Sequence, residues 1–524
     1  MTCDNAENPS GRQLNPLAKK IMSSLAAQFP VCMASDEFHF FPQAMVDGDS
    51  RSHWDDFSPD AMTTLLDRLK KWQQALVPFL CLSASIHQRA EASMLHRVLQ
   101  SLSEQFEFVK VQKTQPSFYL TIVGIGLAEA VDTGGRVWTR RLRELPEFID
   151  QARQNLTELP RLFRDIGLEM LSEQRSWLHS LNLTEKRRDP IFNALDRLNT
   201  HLKNIQVHEN FLPDVDLYER IACEHIGCKL SPDQIARELH METVETRSIL
   251  EQGAKKYSRH ESWQNVIDTF PVPAIPKEGI TELYRNTISQ LSKHCKEQRL
   301  VDGKQVWHCP VTVEPIPNYM RPVRSNAAYS MPPRHPPVGG TFFIQETDEA
   351  PMIPTDYQLL TAHETFPGHH LLDTCRWQQA RVIRRHIEFP LFYEGWASFA
   401  EELMFETGFF CGQKNRMLMA KRRFWRAIRG QIDFDIHMRR KTFDEATALL
   451  ISTGMPKKRA GAMVRRYCLK PGYQLSYTIG RRRFRQLYDT WSLANQTPAL
   501  FARQVLALGE IEFHHLEQQL RQGG

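Results

Sequence analysis

Residues 361–370 read TAHETFPGHH, and residues 392–406 read FYEGWASFAEELMFE. The first stretch gathers histidine and glutamate, the side chains that bind a divalent transition metal and move a proton beside it. In the helical zinc motif H-E-x-x-H, two histidines at i and i+4 share one helix face, and the glutamate after the first is the general base. Here the residue at i+4 from His363 is Pro367, which offers no ligand atom, so the literal motif fails. The next histidines, His369 and His370, stand at i+6 and i+7. On a regular helix i+6 points away by about 120°, and i+7 lies ~10.5 Å along the axis. Neither reaches an ion whose nitrogen ligands sit at ~2.0–2.1 Å. The chain must therefore leave helix between the ligands, and Pro367-Gly368 is the place for it. Proline removes a backbone donor, and glycine accepts dihedrals closed to other residues. Treating the pair as a two-residue bulge restores the order His-Glu-Thr-Phe-His. His369 then becomes the second ligand, with His370 the alternative.

A third ligand comes from the second stretch. Glu394 lies 25 residues after His369, enough for one helix, a turn and a return on a second helix. It stands among Phe392, Tyr393 and Trp396, where a carboxylate is costly without a cation. Glu401, Glu402 and Glu406 follow on the same helix and read as solvated surface or as groups behind the ligands. Two histidines and a glutamate leave a position for water, the open geometry of a hydrolytic Zn2+ site. The competing reading is a Pro-Gly turn with chance histidines, in a chain that has twenty.

Around these stretches helical periodicity dominates. Ser58-Pro59-Asp60 reads as a helix start, followed by Leu65, Leu66, Leu69, Trp72 and Leu76 at three- and four-residue spacing. Ser231-Pro232-Asp233 repeats the signal and predicts a short helix to Leu239, with Thr243–Tyr257 a further helical stretch. Long helical patterns cover roughly residues 144–181, 189–207, 278–298 and 413–452. Between Val301 and Pro354 prolines and glycines crowd in, and residues 306–313 and 340–346 read as strands. The expected fold is mainly α, with a small β-sheet near residues 301–350 lining the active-site cleft. The expected division is a helical N-terminal region over 1–275 and a catalytic region over 276–524, as one continuous body.

Composition sets limits. The 524 residues are 41% hydrophobic and 24% charged, ordinary for a globular protein, and the net charge of +5 gives no reason to invoke nucleic acid or a membrane. The apolar run Phe118–Ala130 is too short to span a bilayer. The N-terminus has no apolar core between a basic start and a cleavage site, so no secretory signal is read there. Ten cysteines occur without a repeated C-x-x-C. Cys223, His225 and Cys228 are compatible with a second metal site, but two buried thiols are the simpler reading. The thiols predict a reducing compartment, the cytoplasm.

HETFPGHH followed by YEGWASFAEEL resembles the bacterial family known as domain of unknown function 885, with its H-E-x-x-P-G-H-H and E-G-W-A. AAYSMPP…GGTFFIQ, RGQIDFDIH and RRYCLKPGYQLSYTIG are similar to further motifs of that family, so specific matches run from about Asn326 to Gly480. The family looks like a relative of helical metallopeptidases such as the thimet oligopeptidases and thermostable carboxypeptidases. That resemblance implies a large metallopeptidase-like helical body with Zn2+ held by His363, His369 and Glu394, and Glu364 as general base. It implies places behind the ligands or against substrate for Asp433 and His437, and an oxyanion-stabilising role for Tyr477. Asp435 stands where glycine is common, and Tyr473-Gln474 replaces Gln-Ala.

The expected activity is hydrolysis of peptide or amide bonds in short peptides or a small peptidic intermediate. Strand Thr341–Gln345, with Phe343 at its centre, is a candidate edge strand for an extended substrate; the plain alternative is a sheet packed on helices. Tyr477 reads equally as a core tyrosine. Basic residues cluster at 421–423, 426, 429, 465–466 and 481–483; most read as solvated faces, and one or two, with Arg466 a candidate, as a clamp on a substrate carboxylate. His370 is a further candidate behind the ligands. Two other readings stand beside this one: a ferrous two-histidine-one-carboxylate enzyme, and a helical binding protein without catalysis. The oligomeric state is open, a homodimer included.

Overall fold

The computed structural model describes residues 14–81, 84–317, 327–345, 353–493 and 497–522. The N-terminal stretch read for a secretory signal lies mostly outside them. The expectation of a mainly α fold is borne out: helices follow one another along the chain, and the strands are few and short. Among the described residues no helix is long and apolar enough to cross a membrane.

Contacts divide the chain into two compact units. The first takes Met1–Pro213 together with Ile316–Ser325 and Pro332–Arg334, and the second takes the rest. The division thus falls at Pro213, well before the expected 275. In the first unit the long helices are α1 (Leu14–Gln28), α2 (Pro59–Leu76), α3 (Ile86–Ser103), α4 (Pro116–Thr133), α5 (Gly135–Asn155), α6 (Arg161–Ser180) and α7 (Glu185–Asn204). Ser58 stands at the N-cap of α2 with proline at its first position, and Leu65, Leu69, Trp72 and Leu76 face inward. The apolar run 118–130 lies within α4, most of it buried, where Phe118 and Tyr119 pack on Phe57. The helical pattern over 144–181 breaks into α5 and α6. Leu159–Pro160 (β1) pairs in parallel with Val207–His208 (β2) at that break, where Pro160 biases the preceding residue toward extended backbone.

The second unit holds α8 (Pro232–Lys255) and α9 (Ile280–Glu297), then strands β3 (Val311–Pro315), β4 (Ala327–Ser330) and β5 (Gly340–Ile344). It continues with α10 (Tyr357–Glu364), α11 (His369–Gln378), α12 (Pro390–Glu406), α13 (Gly412–His437), α14 (Phe443–Ser452), α15 (Lys457–Leu469) and α16 (Leu475–Ser492). Helix α8 is continuous where two helical stretches were expected. A capping box between Ser231 and Gln234 starts it. Its buried Glu242 receives Arg423 at 2.7 Å and Arg481 at 2.5 Å, which ties α8 to α13 and α16. The pattern over 413–452 splits into α13 and α14, because Arg439 turns left-handed and Thr442 forms a new capping box with Glu445.

The sheet has the order β3-β5-β4, with β3 parallel and β4 antiparallel to β5. Two expectations fail here. Residues 305–308 form a short 3-10 turn, and β3 begins only at Val311, after Pro310. The stretch 341–344 is the central strand, not an edge, because both of its sides are already paired. Phe342 and Ile344 point to the buried face of β5, and Phe343 to the half-buried one.

Helix α12 is buried from Pro390 to Met404. It crosses α16 with backbone against backbone. A Cβ on Gly480 would stand 2.1 Å from the Leu391 carbonyl oxygen, and one on Gly395 would stand 2.6 Å from the Gly480 Cα. Only hydrogen fits at either position.

Candidate metal centre

Helix α10 ends at Glu364 and α11 begins at His369. Thr365 leaves helical geometry, and the Gly368 N–H returns to the Ala362 carbonyl at 3.0 Å. The expected bulge in one helix is therefore a full break between two helices. Two features hold it. A Cβ on Gly368 would lie 1.8 Å from the His363 carbonyl oxygen, so no larger residue fits the reversal. Trp396, on α12, donates from Nε1 to the Pro367 carbonyl at 2.9 Å.

The break brings His363 and His369 to one point, where α12 presents Glu394. One ligand atom from each lies within 4.8 Å of the other two, and all three residues are buried. Glu394 Oε2 stands 3.5 Å from Nε2 of His363 and 3.5 Å from Nε2 of His369. Two ligands held at ~2.1 Å on a tetrahedral ion are separated by ~3.4 Å, so the spacing suits a shared zinc. Glu394 Oε2 is also buried without a hydrogen-bond partner, an arrangement that a cation would satisfy. Burial works against the Glu394 charge, but His363 and His369 more than offset it and hold the carboxyl well below its usual range. For His369 burial likewise opposes the charge, and the facing Glu394 outweighs it, so its pKa is raised.

A set of polar groups orients these three side chains. Glu401 Oε1 lies 3.3 Å from His363 Nδ1 and receives Arg426 at 2.6 Å and Arg422 at 3.1 Å. Arg426 also approaches His363 Nδ1 at 3.2 Å, but only Glu401 can accept a proton from that nitrogen. That tautomer leaves the Nε2 lone pair facing Glu394. Tyr473 donates its hydroxyl to Glu394 Oε1 at 2.7 Å, and the His369 ring stacks on Tyr393 with centroids 4.0 Å apart. Glu364 is buried next to the first ligand. Burial and the Glu394 carboxylate push the Tyr477 phenol well above its ordinary value, and its ring lies 6.4 Å from that of His363.

The other expected site residues have different places. His370 faces away from the cluster: Nδ1 meets the Tyr329 hydroxyl at 2.9 Å and Nε2 meets the Cys309 carbonyl at 3.2 Å. Burial pushes its pKa down to about 4. A neutral His370 thus clips β4 to α11. Asp433 accepts the N–H groups of Gly472 and Gln474, both at 2.9 Å, and lies 2.8 Å from His437 Nδ1. His437 stacks on Tyr218. This pair braces the turn that delivers Tyr473 and Tyr477. Arg466 lies on α15, and Phe343 on β5 at the centre of the sheet. Cys228 sits in an apolar cluster with Tyr218 and Leu239. Among the described residues no second group of potential ligands forms around Cys223 and His225.

Sequence reasoning gave no role to Tyr473 or Tyr393, and it left Glu401 between solvated surface and a place behind the ligands. Glu401 stands at i+7 from Glu394, hence on the same helix face, and that spacing was readable. Tyr473 was seen only as a departure from the family pattern.

Two solved structures share the fold over nearly the whole chain. One is described as "a putative lipoprotein of unknown function from Shewanella oneidensis", with TM-score 0.73, 16% identity, and coverage of 97% of this chain and 98% of that one. The other is "the putative lipoprotein from Colwellia psychrerythraea", with TM-score 0.74, 16% identity, and coverage of 98% and 99%. No curated protein matches the chain. The descriptions of these two neighbours overturn the cytoplasmic expectation. That expectation rested on thiols, and most of the described ones are buried; a buried thiol is inert and reports little about its compartment. Residues 43–520 match the family described as bacterial protein of unknown function (DUF885), and the chain belongs to it.

Proposed function

We propose that the protein is a zinc-dependent hydrolase of peptide or amide bonds in short peptides. The observation that carries this reading is the unpartnered Glu394 oxygen, 3.5 Å from Nε2 of both His363 and His369, with Glu364 next in sequence to the first ligand. His363, His369 and Glu394 would hold the ion. Bound there, zinc supplies Lewis acidity, which eases the ionisation of water toward neutral pH and polarises a carbonyl. Glu364 accepts the proton from the attacking water and passes it to the leaving amine. Tyr477 keeps its proton at ordinary pH, because burial and Glu394 raise its pKa, and its hydroxyl donates to the oxyanion as charge develops. Glu401 and Tyr473 hold His363 and Glu394 in orientation.

The test is metal analysis of protein purified without added metal, followed by a panel of short peptides with and without chelator. About one zinc ion per chain, and turnover abolished by chelator and restored by zinc, is the expected result. Iron without peptide turnover would move the site to the two-histidine-one-carboxylate oxygenases. Neither metal nor turnover would leave a binding protein.

A further inference from the structure

Arginines stand at 422, 426 and 429 along α13, on steps of four and three that keep them on one face. Two of them have partners. Arg422 pairs with Glu401 at 3.1 Å and Asp356 at 2.9 Å, and Arg426 donates to Glu401 at 2.6 Å. That face therefore sets three guanidinium charges against two carboxylates. Arg429 is the surplus. Among the described residues no carboxylate lies within ion-pair distance of it, and its guanidinium lies 4.5 Å from the centre of the Tyr477 ring. Its Nε is buried without a hydrogen-bond partner, and so are Arg426 Nη1 and the Tyr467 hydroxyl. Arg426 approaches the same Tyr477 ring, its guanidinium carbon 5.9 Å from the ring centre.

Buried donors of this kind call for an acceptor. The metal site does not supply it: two neutral imidazoles, Glu394 and Glu364 balance a divalent cation, so the charge of Arg429 is left over. A guanidinium held over the Tyr477 ring can offer an edge for a two-point contact, the geometry that matches a carboxylate. We propose that Arg429, helped by Arg426 Nη1, receives a carboxylate of the substrate. The preferred substrates are then short peptides with a free carboxylate beside the scissile bond, either the C-terminal α-carboxylate or an Asp or Glu side chain. This rests on the hydrolytic reading above for the bond that is broken, but the recognition is tested separately.

The test measures binding by calorimetry in the Glu364→Gln variant, where turnover does not interfere. The probes are acetyl-Gly-Leu as free acid, the same peptide as its C-terminal amide, and acetyl-Gly-Asp amide. The free acid is expected to bind at least ~10-fold tighter than its amide. Adding Arg429→Gln should equalise the two, and Arg429→Lys should restore part of the difference. Acetyl-Gly-Asp amide binding as tightly as the free acid would identify a side-chain carboxylate as an equally good source. Equal binding of acid and amide, no binding of the free acid at about millimolar concentration, or a preference that survives Arg429→Gln overturns the proposal. An Arg429-dependent preference in a protein that cleaves no peptide would sink the hydrolytic reading and leave this one standing.

Discussion

Glu401 lies 3.3 Å from His363 Nδ1, on the side of the imidazole away from Glu394. A carboxylate behind a ligand histidine fixes its tautomer and raises its basicity, and losing it commonly weakens metal binding by ~10–100-fold. Glu401→Gln should show a loss of that size in zinc titrations. Its melting temperature should also fall, because Arg422 and Arg426 lose their shared negative partner. Unchanged zinc affinity would mean that Arg426 alone orients His363.

Glu364→Gln keeps nearly the same shape and removes the carboxylate proposed as the base. Zinc content should stay at the wild-type level, and kcat should fall by at least ~10²–10⁴. Zinc loss in this variant would make Glu364 a ligand.

Gly368→Ala places a methyl where the His363 carbonyl oxygen already stands, 1.8 Å away. The turn between α10 and α11 must open, and His369 moves with it. Weaker zinc binding and a melting temperature lowered by several degrees are expected, since displaced buried backbone costs on the order of a few kcal/mol. Wild-type zinc binding in this variant would show that the surrounding helices, rather than the turn, set the ligand spacing.

Glu242 makes acid stability testable. Burial opposes its charge, but Arg481 and Arg423 bring its pKa down to about 2, below the ordinary 4.5. A carboxyl lowered on folding stabilises fully above the unfolded value and loses that contribution as pH falls through the folded one. The window here runs from about pH 4.5 down to about 2, and the contribution is on the order of 3 kcal/mol. Denaturant unfolding at pH 5 and pH 3 should show a smaller loss of stability in Glu242→Gln than in wild type. At pH 7 the variant should be less stable by about 3–5 kcal/mol, because Arg423 and Arg481 lose a buried partner. Parallel pH profiles for both proteins would place the acid sensitivity elsewhere.

The helical character of the chain and the convergence of His363, His369 and Glu394 were legible, because spacing and side-chain chemistry leave few alternatives. Pro367-Gly368 marked the break, though whether it was a bulge or a full interruption depended on contacts with α12 that no local pattern encodes. The i+7 spacing from Glu394 put Glu401 on the ligand face, but α12 is buried nearly all round, so the same pattern left Glu402 an equal candidate. Tyr473 looked like a substitution until the turn braced by Asp433 aimed it at Glu394. Strand order was the least legible. Residues 340–346 read as a strand mainly on the turn signal before them, and β5 sits in the middle of the sheet, while the short β4 that flanks it shows too few residues for a period to emerge.

The crossing of α12 and α16 at Gly395 and Gly480 has a consequence for how such a protein can change over generations. Glu394 is the immediate neighbour of one glycine, and Tyr477 stands three residues before the other. Two rods in contact that close to Glu394 and Tyr477 keep the separation of those side chains nearly independent of loop length elsewhere. Insertions around the sheet, or exchanges along the arginine face of α13, can then alter the surroundings without resetting the distance between the Glu394 carboxylate and the Tyr477 phenol. The surroundings are free to drift while that pair stays in place, provided that both crossing positions remain glycine.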